Sequence, residues 1–267
     1  MKKVLFIALM AMLCHTGFTQ DTDSTGNKKE DEGKSTLFKI NSESKDGKSK
    51  TTKLKVDLIH QSKNAYFGID PSVEFGWNRF MDNGSLTVGS VNSDLRLEKG
   101  PEFGFFPITG GVFLDKKHTL KVSTALGITW NTYHFEKDIT LEKGQDVLTY
   151  TIDEDRHFSK NLLRSKYLTM PLMIAVYPIK DSHFQINAGV EGGLLIGAKT
   201  KQISDDAGKV KVKGSFNLNP VRYGLRFGIG YNAFNIYAKY YFSDVFAPGE
   251  GPKDFRTVAI GINVGFF

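Results

Sequence analysis

From Val221 to Ser243 the chain alternates two kinds of residue. Val221, Tyr223, Leu225, Phe227, Ile229 and Tyr231 fall on odd positions, with Arg222, Gly224, Arg226, Gly228 and Gly230 between them. After Asn-Ala-Phe-Asn at 232–235 the alternation resumes, with Ile236, Ala238, Tyr240 and Phe242 on one face and Tyr237, Lys239, Tyr241 and Ser243 on the other. Period two is the repeat of a strand, and two such runs around a short turn predict an antiparallel hairpin. The apolar face would pack on a second sheet in a soluble sandwich, or face lipid in a membrane barrel with the polar face lining the lumen.

The same period predicts eight strands, near 65–80, 101–114, 118–136, 163–178, 183–199, 216–232, 234–244 and 255–266. Each is at least as long as the roughly nine to eleven residues that a tilted strand needs to cross a bilayer. The connections alternate too. Residues 115–118, 178–183 and 232–235 are tight turns, whereas 81–100, 137–162, 200–215 and 245–254 are long and polar. Strands that all run from rim to rim explain this, with turns on the periplasmic side and loops outside. Three stripes carry no charge: Leu120, Val122, Leu126, Ile128 and Trp130; Leu168, Met170, Leu172, Ile174 and Val176; Val258, Ile260, Ile262, Val264 and Phe266. Trp77 and Trp130 fall near the outer rim in this arrangement, and with Tyr231 they are the expected membrane-interface aromatics. The predicted fold class is therefore all-β, an eight-stranded antiparallel up-and-down transmembrane β-barrel.

The amino terminus fits export. Lys2 and Lys3 precede an apolar stretch from Val4 to Cys14 and then small and polar residues. This is the layout of a signal peptide over 1–20, and the apolar stretch is too short for a spanning helix. Leu13 occupies the place where a lipoprotein signal has a small residue, so the single cysteine, Cys14, is expected to leave with the leader. Disulfides and thiol catalysis are then excluded from the mature chain. Residues 21–63 form a second zone, with nine lysines and eight acidic residues over 21–60, expected to be a mobile periplasmic segment. Within it Leu54, Val56 and Leu58 alternate with Lys53, Lys55 and Asp57, which admits one short strand. The barrel domain follows over 64–267. Abundant glycine (27 residues) and aromatics (12%) suit strands rather than long helices. The formal charge of +6 falls to +4 without Lys2 and Lys3 and is dispersed, which gives no support to nucleic-acid binding.

Three segments carry a family likeness: "FSKNLLRSKYLTMPLMIAVYP", "FQINAGVEGGLLIGAKTKQ" and "FNLNPVRYGLRFGIGYNAFNIYAKYYFSDVF". Together they resemble the PorT-like outer-membrane β-barrel family of Gram-negative bacteria, over roughly residues 64–267. The resemblance implies an eight-stranded barrel in the cell outer membrane, without an established enzymatic activity for most members and with a role in protein secretion and gliding for one branch. The carboxyl end resembles the aromatic-terminated signal for barrel insertion, with Gly261, Val264 and Phe266 suitably spaced.

Other motifs carry less. "GGLLIGAKT" at 192–200 departs from a phosphate-binding loop because Ala198 separates Gly197 from Lys199 and no helix is predicted after it. Small residues that let a strand curve account for it. No two histidines have metal-ligand spacing on one face, and no cofactor or metal is predicted. The best catalytic candidate is "DEDRHFS" at 153–159, where His157 and Ser159 are two apart and acids stand nearby, as in a barrel that deacylates lipid A. The segment also reads as a solvated rim, and no catalytic residue is assigned.

The expected protein is a non-enzymatic, monomeric outer-membrane barrel with a structural or binding role presented through its outer loops. Its expected partners are outer-membrane lipid and the insertion machinery. The alternatives are a lipid-A-modifying hydrolase using His157 and Ser159, an accessory component of a secretion system, and a transporter, although eight strands leave an interior that side chains fill. Two structural expectations follow. Residues 137–162 should extend the third and fourth strands as a hairpin closing near Gly144. Parity should place Asp70, Glu74, Glu191, Arg222, Arg226 and Lys239 in the lumen as one charge network, with the glycines between the arginines giving the long side chains room.

Overall fold

The computed structural model describes residues 36–42, 50–56, 59–61, 64–180 and 182–265. Strands β1 (Thr36–Ser42) and β2 (Lys50–Val56) pair with each other, and β3 (Ile59–Gln61) pairs with the start of β4 (Ala65–Asp82). The span expected as a mobile segment thus contains three strands. Leu54 and Val56 lie in β2, whereas Leu58 lies outside the described residues. The chain continues through β5 (Leu97–Lys99), β6 (Pro101–Phe113), β7 (Leu120–Phe135), β8 (Ile139–Leu141), β9 (Tyr150–Ile152), β10 (Lys160–Val176), β11 (Phe184–Ser204), β12 (Gly208–Lys213), β13 (Val221–Tyr231), β14 (Phe234–Tyr241) and β15 (Phe255–Val264).

Eight of these strands form a cycle of antiparallel pairs, β4-β6-β7-β10-β11-β13-β14-β15, and β15 returns to β4 with Ile262 opposite Phe75 and Phe255 opposite Asp82. The sheet is an eight-stranded closed barrel, so none of the eight lacks a partner on either side, the condition for a sheet to cross lipid. Alternation is clearest on β13 and along most of β10. On β13, Arg222, Gly224, Arg226, Gly228 and Gly230 are buried, while Tyr223, Phe227, Ile229 and Tyr231 are exposed. On β10, Leu168, Ile174 and Val176 are exposed, whereas Ser165, Tyr167, Thr169 and Met173 are buried.

Departures from the expected boundaries have local causes. Strand β13 starts at Val221 rather than 216, because Pro220 cannot donate to a ladder and Phe216 and Asn217 have φ of 50° and 56°. Strand β11 runs five residues beyond the expected 199, to Ser204, and folds back as β12, so the connection read as a polar loop is itself a hairpin. A bulge at Ile196, where Lys166 pairs with Gly197 and Tyr167 with Leu195, shifts the parity of β11. Beyond it, Lys199 and Lys201 stand on the same face as the lipid-facing residues below.

Residues 139–152 do form a hairpin, with Ile139 opposite Ile152, Leu141 opposite Tyr150 and φ of 77° at Gly144. It is not an extension of β7 and β10 but a separate two-stranded sheet. Its apolar side, Ile139 and Leu141, is 1% and 7% exposed and joins a core at the long-loop end of the barrel. All four long connections feed that core: Val88 and Leu95, Ile139 and Leu141, Phe216 and Leu218, Val245 and Phe246. Barrel residues Phe80, Tyr133, Leu163 and Phe255 meet them from below, with ring centroids 4.8 Å apart for Phe80 against both Tyr133 and Phe255. An apolar plug therefore closes this end, stabilised by water exclusion in the way of a small-domain core.

Candidate functional site

Below the plug, apart from a small apolar cluster of Phe106, Ala125 and Met173, the barrel interior is mostly polar. Its centre is built by inward positions of five strands: Glu74 on β4, Glu102 on β6, Glu191 on β11, Arg222 and Arg226 on β13, and Lys239 on β14. Lys239 Nζ lies 2.9 Å from Glu74 Oε2, 2.9 Å from Glu102 Oε1 and 3.4 Å from Glu191 Oε2. Arg226 Nη1 pairs with Glu74 Oε1 and lies 3.2 Å from Glu191 Oε2. Arg222 is 3.9 Å from Glu191 and donates to Thr129 Oγ1 at 2.9 Å. Its guanidinium is held between the Tyr167 and Tyr241 rings, 4.4 and 4.3 Å from their centroids, which offers a desolvated cation two π faces. The Tyr241 hydroxyl donates to Glu191, and the Tyr237 hydroxyl donates to Glu102 at 3.1 Å. Three carboxylates face three cations, so the formal charge of the cluster is zero. That balance is what a water-poor interior demands, because an unmatched buried charge is strongly destabilising.

The structure brings together five of the six residues placed in the lumen by parity. Asp70 is the exception. It is exposed at a bulge where the β4–β6 register shifts between Ile69 and Ser72, next to Pro71, and it makes no ion pair with the cluster. Proline removes a ladder donor and parity cannot be extended through such a break. Glu102 was missed, although Pro101 and Phe103 on either side face outward and the same parity rule places it inside. The interleaved glycines also act differently from expectation. A Cβ at Gly224 would meet the backbone of Tyr240 and Tyr241, and one at Gly228 would meet the Asn187 and Asn235 side chains. Gly224 thus permits close strand approach and Gly228 leaves room for two asparagine side chains, so neither houses an arginine.

The remaining candidates are dispersed. Trp77 and Tyr231 are exposed, whereas Trp130 is half-buried with its ring 5.5 Å from Phe103. Trp77 and Trp130 lie in the long-loop halves of their strands and Tyr231 ends β13 at the short turn. Gly261 is buried beside the Tyr237 hydroxyl, Val264 pairs with both Phe234 and Val73, and Phe266 lies outside the described residues. His157 Nδ1 lies 2.8 Å from Asp138 Oδ2, but Ser159 Oγ donates to the Ile203 carbonyl at 3.2 Å, so the two candidates serve different partners. The "GGLLIGAKT" segment is strand throughout, with no helix N-terminus to aim at a phosphate. Among the described residues no group of three or more His, Cys, Asp or Glu could hold a metal ion.

Outside the spanning strands, carboxylates fix the connections. Asp94 is held below its ordinary value by Lys137, whose Nζ is 2.6 Å away. In the short turn after β6, hydrogen bonds from the Leu120 and Thr119 amides, both 2.8 Å, and from the Thr119 hydroxyl hold the Asp115 carboxyl at about 2.

The sequence matches the family described as outer membrane protein beta-barrel domain over residues 60–243. The chain belongs to that family. The outer membrane protein beta-barrel domain accounts for the lipid-facing stripes and the closed sheet, and the protein resides in the outer membrane. No curated relative matches the sequence. Among solved structures the chain is similar to Ail, the attachment invasion locus protein of Yersinia pestis, solved with the heparin analogue sucrose octasulfate, at 11% identity and a TM-score of 0.31. That match covers 77% of this chain and 100% of Ail. Neisserial surface protein A is similar at 11% identity and a TM-score of 0.35, covering 76% of this chain and 100% of that one. The translocator domain of the autotransporter NalP from Neisseria meningitidis follows at 10% identity and 0.26, covering 79% and 90%.

Proposed function

We propose that the protein is a non-enzymatic, non-conducting outer-membrane barrel that works through its long-loop end, as a binding or structural surface element. The observation that carries this is the apolar plug, to which all four long connections contribute, seated above a charge-neutral cluster of buried side chains. Transport would need a continuous polar path, and a hydrolase would need Ser159 within reach of a base. In this reading residues 1–20 are a cleaved leader, 21–63 lie on the periplasmic side before the barrel domain, and the long loops face outward. The barrel is a monomer in outer-membrane lipid, inserted through its carboxyl-terminal strand with Gly261, Val264 and Phe266 as the signal, and it does not engage nucleic acid. The three quoted segments support a place in the PorT-like branch and a Gram-negative host, and with it service to secretion as the second reading.

Orientation and surface role are tested with single cysteines, which is clean because the sequence has one cysteine, Cys14. A membrane-impermeant maleimide applied to intact cells should label Ala207→Cys, in the β11–β12 turn, and leave Lys116→Cys, in a short turn, unlabelled until the cells are opened. The reverse pattern would refute the outward placing of the loops.

A further inference from the structure

The wall of the barrel carries an unmatched field of positive charge where β10, β11 and β12 lie side by side above the lipid-facing belt. Cross-strand partners share a face, and the register sets Arg164 opposite Lys199 and Lys199 opposite Lys213, with Lys201 opposite Lys211 in the next row. Lys166, opposite Gly197, completes the face at its lower edge. Like charges directly opposite one another oppose strand pairing. None of these six cations is in an ion pair among the described residues. Arg164 donates to Thr132 Oγ1 at 3.0 Å, and Asp205 and Asp206 stand in the turn beyond the rows.

The face has a fixed height. On β10 the same outward parity runs from Arg164 and Lys166 directly into Leu168, Met170 and Leu172, and on β11 from Lys199 down to Leu194 and Val190 across the Ile196 bulge. Cations placed at the upper edge of an apolar belt stand where lipid phosphates lie. Arg164 also lines, with Phe75, Phe103, Trp130 and Thr132, a groove of about 430 Å³. Phe75 and Phe103 have ring centroids 5.1 Å apart, which makes this groove an aromatic surface continuous with the belt.

We propose that this face is a specific site for a phosphate-bearing lipid of the outer leaflet, with the headgroup phosphates on Arg164 and the Lys199–Lys213 and Lys201–Lys211 rows and an acyl chain along the Phe75–Phe103–Trp130 groove. Arg164 supplies the planar donor pair for one phosphate, and the lysines supply point charges that a second phosphate can share. The headgroup is an acid of several charges, because six cations exceed what one phosphate neutralises. This inference rests on the outward placing of the long-loop end proposed above.

The test uses the full barrel refolded in phosphatidylcholine vesicles, with Trp77→Phe so that Trp130 is the reporter. Bisphosphorylated lipid A with brominated chains, present as a minor component in both leaflets, should quench Trp130 at a fraction at least about tenfold lower than brominated phosphatidylcholine, since two cations near an anionic headgroup, at roughly fivefold each, already give about 25-fold in affinity. The quadruple variant K199Q/K201Q/K211Q/K213Q, with folding verified by its gel mobility before and after heating, should lose that preference. Equal quenching by both lipids in the parent, or a preference that survives in the quadruple variant, overturns the site. Binding of soluble heparin through the same lysines without any lipid preference would also overturn it, assigning the face to a soluble polyanion. Lipid A in both leaflets makes the readout independent of insertion direction, so this test and the cysteine labelling fail separately.

Discussion

Replacing Glu191 by Gln removes one negative charge from a cluster that holds three of each sign, leaving Arg222, Arg226 and Lys239 to share Glu74 and Glu102. The lost attractions are short, at 3.2 Å to Arg226 and 3.4 Å to Lys239. At an effective dielectric near 20, each is worth about 5 kcal/mol before the cost of desolvation is subtracted. Gln keeps the shape and can still accept from the Tyr241 hydroxyl, so the net effect is that of a buried charge left unmatched, about 3–5 kcal/mol of lost stability. Removing a cation as well restores the balance at two against two. The double variant Glu191→Gln with Arg222→Gln should therefore be more stable than the sum of the single losses predicts, by about 1–3 kcal/mol. The assay is equilibrium urea unfolding of the refolded barrel in detergent micelles, followed by tryptophan fluorescence. A single-variant loss below about 1 kcal/mol together with additive double-variant behaviour would refute the idea that charge balance in the lumen stabilises the fold.

The other predictions concern the ends of the barrel and the catalytic candidate. Phe246→Ala, in the plug at 1% exposure, should cost about 3–5 kcal/mol and expose the long connections to protease, whereas cutting within 139–152 of the parent at the rate of a disordered peptide would contradict the β8–β9 hairpin. Asp115 has a folded-state value near 2, below its ordinary one, so the stability that it contributes is complete above about pH 4 and is lost as pH falls toward 2. Acid titration of unfolding should show that component in the parent and lack it in Asp115→Asn. A fluorophosphonate probe should leave Ser159 unmodified in the purified barrel, and Ser159→Ala should leave the lipid A mass profile of the cells unchanged, whereas stoichiometric labelling would reopen the hydrolase reading.

Most of the barrel was legible because a lipid-facing strand must alternate. Tyr223, Leu225, Phe227 and Ile229 against Arg222, Gly224 and Arg226 encode strand, face and lumen at once, and five cluster members followed from parity alone. Parity failed where the backbone departs from the ladder. Asp70 precedes Pro71 at a bulge, and past the Ile196 bulge the parity that places Glu191 inside no longer holds, so that Lys199 and Lys201 face outward. Of the plug, Ile139 and Leu141 were legible in the alternating hairpin, but Val88, Leu95, Val245 and Phe246 come from connections that read as polar, and Phe216 and Leu218 were assigned to the sixth strand. Apolar residues isolated in long loops had no partner that spacing could name, and only the closure of the barrel brings them over one mouth.

A sealed lumen is the claim on which the functional reading depends, and single-protein conductance in planar lipid bilayers tests it most directly. The account predicts no steady channel from the parent barrel, since Arg226, Lys239, Glu74 and Glu191 fill the centre and the plug closes the long-loop end. Reproducible channels of one defined conductance, recorded from the folded parent protein, would contradict it.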